Sequence, residues 1–231
     1  MNIGPIAVFH SPFGSKFGIP RQSGLVPELR GEIRFTDKYR RSEAVRGLEG
    51  FDYLWIIWEF SANMRGQDAE WQHTVRPPRL GGNARLGVFA TRSPFRPNPL
   101  GLSCVRIESI DYDCPDAPVI RVRGADLMDG TPVYDIKPYI PYTDSHPEAS
   151  GGFTDRTEWA GLEVVIPEEL RTQLERLLGP DGLAALIGAL AQDPRPQYQD
   201  DPERVYGMPF AGLDIHFKAE TGSLTVTGFD G

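Results

Sequence analysis

The stretch GVFATRSPFRPNPLGLS, residues 87–103, sets Arg92 and Arg96 among Pro94, Pro97 and Pro99. Proline fixes φ, so such a segment has little conformational freedom left to lose when it engages a ligand. A guanidinium is a planar fork of donors that fits a carboxylate or phosphate through two parallel hydrogen bonds. Asn98 is placed to bond the neighbouring backbone. The chemistry this spacing favours is the grip of an anion; the plainer alternative is a rigid linker in polyproline geometry. Two other polar turns stand out. GIPRQSG, residues 18–24, carries Arg21 and Gln22 behind Pro20. ADLMDGTPVYDIKPY, residues 125–139, carries Asp126, Asp129, Asp135 and Tyr139 around the turn Asp129-Gly130-Thr131-Pro132. Asp-Gly is a strong turn signal, and read alone it predicts a simple hairpin connection.

The net charge of −8 over 231 residues argues against a polyanionic partner until its distribution is inspected. Residues 1–150 hold 18 Lys and Arg against 18 Asp and Glu, whereas residues 151–231 hold 6 against 14. Residues 71–107 contain Arg76, Arg79, Arg85, Arg92, Arg96 and Arg106 and no carboxylate. Binding follows local charge more than the total, so this window is a candidate anion site in an acidic protein, the plainer alternative being solvated loop charges or pairs with distant acids.

Other chemistries lack their patterns. GGNARLG is not followed by a helix and is not a GxGxxG fingerprint, and neither a GxxxxGK[ST] loop nor a GxSxG elbow occurs. His10, His73, His146 and His216 are scattered, and with Cys104 and Cys114 they show no metal-ligand spacing. No apolar run is long enough for a membrane span, and the first residues do not read as a secretory signal. The expectation is a cytoplasmic protein with two free thiols and no metal.

The elements that must position these groups are mostly strands. Short β-rich runs bounded by turn signals cover residues 6–9, 32–35, 53–60, 85–91, 103–111, 119–123 and 133–136. Many short strands at this spacing predict a barrel or sandwich. YLWIIWEF is nearly all apolar and reads as a strand covered on both faces. A short helix is expected over 42–48, with Ser42 as its N-cap. Composition changes near residues 150–161. Beyond them, PEELRTQLERLL and DGLAALIGALAQ read as two helices, broken at Gly179, and GLDIHFKAE and GSLTVTGF as a strand pair.

FATRSPFRPN resembles the signature of the TsaA-like (TrmO) family. AVRGLEGFDYLWIIWEF, TVRPPRLGGNARLGVFATRSPFRPNPLGLS, DGTPVYDIKPYIPY and LAQDPRPQY resemble family blocks in the same order. The resemblance implies a mainly β N-terminal domain over residues 1–155, a small closed barrel that binds S-adenosylmethionine. It also implies a small α+β domain over 156–231 that assists tRNA binding, and a homodimer. The implied reaction methylates N6 of threonylcarbamoyladenosine next to the tRNA anticodon.

By that likeness, the cofactor would meet Pro20, Arg21, Gln22, Ser61, Arg92, Leu102, Asp126, Asp129, Gly130 and Thr131. Arg21 or Arg92 would hold its carboxylate, Asp126 or Asp129 its ribose or ammonium, and Leu102 its adenine. Ser61 follows the LWIIWEF strand, where related sequences often carry histidine. Arg79, Arg85, Arg96, Asn98, Arg195 and Tyr198 are the expected tRNA contacts. Asp135 or Tyr139 is the expected base for the N6 proton, with water as the alternative. A non-catalytic RNA-binding barrel is the competing expectation. A hydrolase acting on a small anionic nucleotide is a third.

Overall fold

Alternating apolar residues close the first part of the chain on itself. The computed structural model describes residues 3–63, 71–77, 84–156, 161–195 and 201–231. In chain order the elements are β1 (Ala7–His10), β2 (Arg30–Phe35), α1 (Ser42–Val45), β3 (Tyr53–Glu59), β4 (Thr74–Val75), β5 (Leu86–Gly87), β6 (Leu100–Asp111), β7 (Val119–Arg123) and β8 (Thr131–Pro138). They continue with α2 (Pro141–Asp144), β9 (Glu163–Val165), α3 (Glu168–Ala191), β10 (Tyr206–Phe210), β11 (Leu213–Glu220) and β12 (Ser223–Asp230).

Six strands form a closed antiparallel barrel in the order β1-β2-β7-β6-β3-β8. Its interior holds Phe9, Ile33, Leu54, Ile56, Ile120 and Val133, all fully buried. β3 alternates buried and half-buried residues, so YLWIIWEF is a barrel strand with one inward face and is not covered equally on both. The outer face of β2, β6 and β7 is a ladder of opposite charges. Arg34 meets Glu32 at 2.7 Å, Arg121 meets Asp111 at 2.8 Å, and Arg123 meets Glu108 at 2.6 Å.

Three local expectations are corrected. The residue at the N-cap of α1 is Arg41, and the helix stops at Val45. Residues 85–91 are only briefly extended: after β5, Val88–Ala90 form a 3-10 turn. Asp129-Gly130 is not a hairpin, because β7 and β8 are not neighbours; β8 lies between β1 and β3. The carboxylate of Asp129 accepts the Ser11 N–H at 3.2 Å and lies 3.1 Å from His10 Nδ1, tying the turn to the segment after β1.

The rest of the chain forms a sheet ordered β10-β11-β12-β9, covered by α3. Gly179, at φ 72° and ψ 170°, splits α3 into the two expected helices, and Pro180 opens the second. This second core also takes in residues from the first part of the chain: Phe13, Val26 and Leu29 are buried in it beside Leu186, Met208 and Phe217.

Candidate active site

The polar turns of the sequence meet at one mouth of the barrel. A cavity of about 1290 Å³ is lined by Pro20, Arg21 and Gln22, by Ser61, by Arg92 and Arg96, and by Leu102, Asp126 and Thr131. Strands and the loops between them deliver these residues. Leu102 lies on β6, Thr131 opens β8, and Ser61 follows β3. Asp126 lies in the connection from β7 to β8. Small-molecule sites commonly measure roughly 300–1,000 Å³, so this one has room for a cofactor and part of a second substrate.

Arg92 is exposed, and its Nη1 donates to Gln22 Oε1 at 2.6 Å. The proline-braced loop and the 18–24 turn are thereby joined across the cavity. Arg96 is turned inward on its own loop, donating to the carbonyl of Thr91 at 2.8 Å with its guanidinium over the Phe89 ring. Phe89 itself is 68% exposed.

Beneath Arg92 lies a buried polar relay. Trp58 Nε1 donates to Ser103 Oγ at 2.9 Å, and the Ser103 hydroxyl donates to Asp126 Oδ1 at 2.5 Å. Burial pushes the Asp126 carboxyl above its ordinary range; Ser103, the Ser23 backbone N–H and the charge of Arg92 oppose that rise. Trp58 and Ser103 carried no functional signal in the sequence. Trp58 reads there as one apolar residue of a strand, although a buried indole N–H needs a partner.

Other expected site residues lie elsewhere. Asp129 and Gly130 are not in the cavity lining, and Asp129 braces the His10–Ser11 backbone as described. Asp135 and Tyr139 are also outside it: Asp135 lies 3.5 Å from Lys137, and Tyr139 packs on Tyr53 and Trp55. Arg85 is exposed outside the lining, as is Asn98, whose carbonyl accepts the Leu100 N–H at 2.8 Å. Arg195 is 11% exposed and binds Asp193 at 2.8 Å and the carbonyl of Ala219 at 3.1 Å, so its geometry is that of a latch between α3 and β11. Arg79 and Tyr198 lie outside the described residues. Among the described residues, no cluster of metal-ligating side chains occurs, and no helix is long and apolar enough to cross a membrane.

Residues 8–145 match the tRNA-methyltransferase O N-terminal domain, and residues 160–230 match the TrmO C-terminal domain. The chain belongs to the tRNA-methyltransferase O family. It is 45% identical over 229 residues to the tRNA (adenine(37)-N6)-methyltransferase of Escherichia coli (strain K12), covering 97% of this chain and 94% of that one. It is 41% identical over 222 residues to a Pseudomonas aeruginosa protein named "Putative S-adenosylmethionine-dependent methyltransferase RcsF", covering 94% and 91%. A crystal structure of TrmO from Pseudomonas aeruginosa superposes with a TM-score of 0.80 at 31% identity, covering 100% of this chain and 98% of that one. The closed barrel and the α+β unit behind it are therefore the architecture of the family.

Proposed function

We propose that this chain transfers a methyl group from S-adenosylmethionine to N6 of adenine 37 in tRNA, and that the base already carries a threonylcarbamoyl group when it is methylated. The observation that carries the reading is the convergence of Pro20–Gln22, Arg92, Leu102, Asp126 and Thr131 on one cavity in a family whose relatives carry the name tRNA (adenine(37)-N6)-methyltransferase. The division of labour follows the expected units, residues 1–155 for catalysis and 156–231 for help with tRNA.

The residues present fit the cofactor. Its carboxylate needs a cationic fork, offered by Arg21 and Arg92; its ammonium and ribose hydroxyls need an acceptor, offered by Asp126; its adenine needs an apolar face, offered by Leu102. When bound, S-adenosylmethionine supplies an electrophilic methyl group whose departure leaves a neutral thioether. The protein therefore needs no acid at the leaving group. Its main task is to hold the acceptor nitrogen in line and exclude water, and alignment of this kind contributes up to about 7–11 kcal/mol. Arg76, Arg92 and Arg96 at the rim match the phosphates of an anticodon loop and the carboxylate of a threonylcarbamoyl group.

Asp135 and Tyr139 retain a role in removing the N6 proton only in a homodimer that carries them to a second copy's cavity. Mixing Arg92→Ala and Asp135→Asn proteins at subsaturating cofactor tests this: activity above the mean of the two separate proteins is expected if one hybrid site is intact, no gain means that both residues act within one chain, and parent-like activity of Asp135→Asn alone removes Asp135 from the reaction. The primary test is mass analysis of nucleosides from tRNA incubated with protein and cofactor. A product one methyl heavier at adenosine 37 is expected, and unchanged nucleosides overturn the reading. Using tRNA that lacks the threonylcarbamoyl group separates the finer claim from the coarser one.

A further inference from the structure

The loop that carries Pro20, Arg21 and Gln22 belongs by sequence to the barrel and by packing to the second unit. Its flanks are apolar at Phe13, Phe17, Ile19, Val26 and Leu29, and every one of these packs into the core formed by α3 and the β10–β12 sheet. The backbone is tied there too: the Ala211 N–H donates to the Pro12 carbonyl at 2.7 Å. Gly18 lies so close to Met208 that a Cβ would fall 2.3 Å from its sulfur, and Gly188 so close to Val26 that a Cβ would fall 2.6 Å from Cγ1. Outside the loop, Arg30 reaches Asp181 of α3 at 2.8 Å while sharing Glu108 with Arg123.

On the barrel side the same loop is tied by hydrogen bonds. Gly24 N–H donates to the Gly124 carbonyl at 2.8 Å, Gly124 N–H donates to the Leu29 carbonyl at 2.8 Å, and Gln22 accepts from Arg92. Between Ile19 and Val26 the chain is thus a short span anchored at both ends in the second unit, with the cavity-lining residues at its crest.

Resting on the proposed cofactor site, we infer that the second unit positions that site: the Val26–Gly188 and Gly18–Met208 contacts set where Arg21 and Gln22 stand and hence how tightly S-adenosylmethionine binds. Val26, Gly188, Gly18 and Met208 are positioning residues and do not line the cavity. The coupling is reciprocal, because whatever the second unit contributes to cofactor affinity, the cofactor returns to the order of the second unit.

The test uses the full chain. Gly188→Ala sits in a helix, where alanine is conformationally favourable, so its effect reports the collision with Val26. It is expected to weaken S-adenosylmethionine binding about tenfold in calorimetric titration, raising the KM for the cofactor and leaving kcat at saturation within twofold. Val26→Ala combined with Gly188→Ala removes the collision and restores affinity to within twofold of the parent. Parent-like affinity in a folded Gly188→Ala protein overturns the inference, as does weakened affinity that the double variant does not restore. If Gly188→Ala fails to fold, amide exchange of the unmodified protein decides: the cofactor is expected to slow exchange in β10 and the second half of α3, and protection confined to the barrel overturns the inference. Absence of cofactor binding by the unmodified protein would instead remove the reading of the cavity, and this inference with it.

Discussion

Arg92 is the residue on which the cavity's polarity turns, because its fork faces the lumen while its Nη1 bond to Gln22 joins two loops. Arg92→Ala removes a charged donor at no cost to either hydrophobic core. A hydrogen bond to a charged partner contributes about 1.5–3 kcal/mol, so S-adenosylmethionine affinity is expected to fall roughly ten- to a hundredfold with an unchanged melting temperature. Parent-like titration would remove Arg92 from the cofactor site. Asp126 gives a second prediction. Its carboxyl titrates higher in the fold than in the unfolded chain, so the stability it contributes is fully present below the unfolded value of about 3.9 and is lost as pH rises through the folded one. Asp126→Asn abolishes that titration. Whatever its offset, the melting temperature of the variant minus that of the parent is expected to increase as pH is raised through this window. A flat difference would show that the carboxyl titrates normally. At this scale the sequence was readable where a residue's chemistry is self-sufficient: Arg21, Gln22, Arg92 and Asp126 line the cavity. The backbone partners of Asp129 at Ser11 and of Arg195 at Ala219 had no signal in the sequence, because they lie far away along the chain.

The elements hold the site through close packing at strand ends. Gly101 of β6 lies opposite Trp58 of β3, and a Cβ there would fall 2.2 Å from the indole ring. That contact seats Trp58 so that its N–H reaches Ser103 and Ser103 reaches Asp126. Gly101→Ala must displace the ring, and overpacking of this sort costs about 1–3 kcal/mol. Denaturant unfolding is expected to show that loss, together with altered near-UV dichroism from Trp58 and weakened cofactor binding. An unperturbed tryptophan signal would mean that the strands yield while the ring stays put. β-rich composition between turn signals made β2, β3, β6 and β7 readable as strands, and in the barrel each presents one apolar face inward. The 85–91 stretch was misread because its β-branched and aromatic residues satisfy the same pattern, while Val88–Ala90 turn in order to expose Phe89 beside the arginine loop.

At the scale of the whole molecule, charge is divided between the two units in a way that total charge conceals. The second part is acidic, 6 basic residues against 14 acidic over 151–231, yet it is fastened to the barrel by apolar packing and by Asp181 on Arg30. Neither fastening was readable, because both join residues that are far apart in sequence. The carboxylate-free window places Arg76, Arg92 and Arg96 on the cavity rim and leaves Arg85 exposed just outside it. RNA binding by such a surface proceeds by release of counterions, and each phosphate contact contributes about 0.7 to the slope of log affinity against log salt for single-stranded RNA. Arg85→Ala is expected to lower that slope for tRNA by about 0.7 and to weaken binding at low salt, with calorimetric S-adenosylmethionine affinity unchanged. Arg92→Ala is expected to change both. If Arg85→Ala leaves the slope intact, the phosphate path does not pass Arg85, and other cations must account for the salt dependence. The two variants together separate the proposed RNA contacts from the proposed cofactor contacts, which the sequence runs together in a single arginine-rich window.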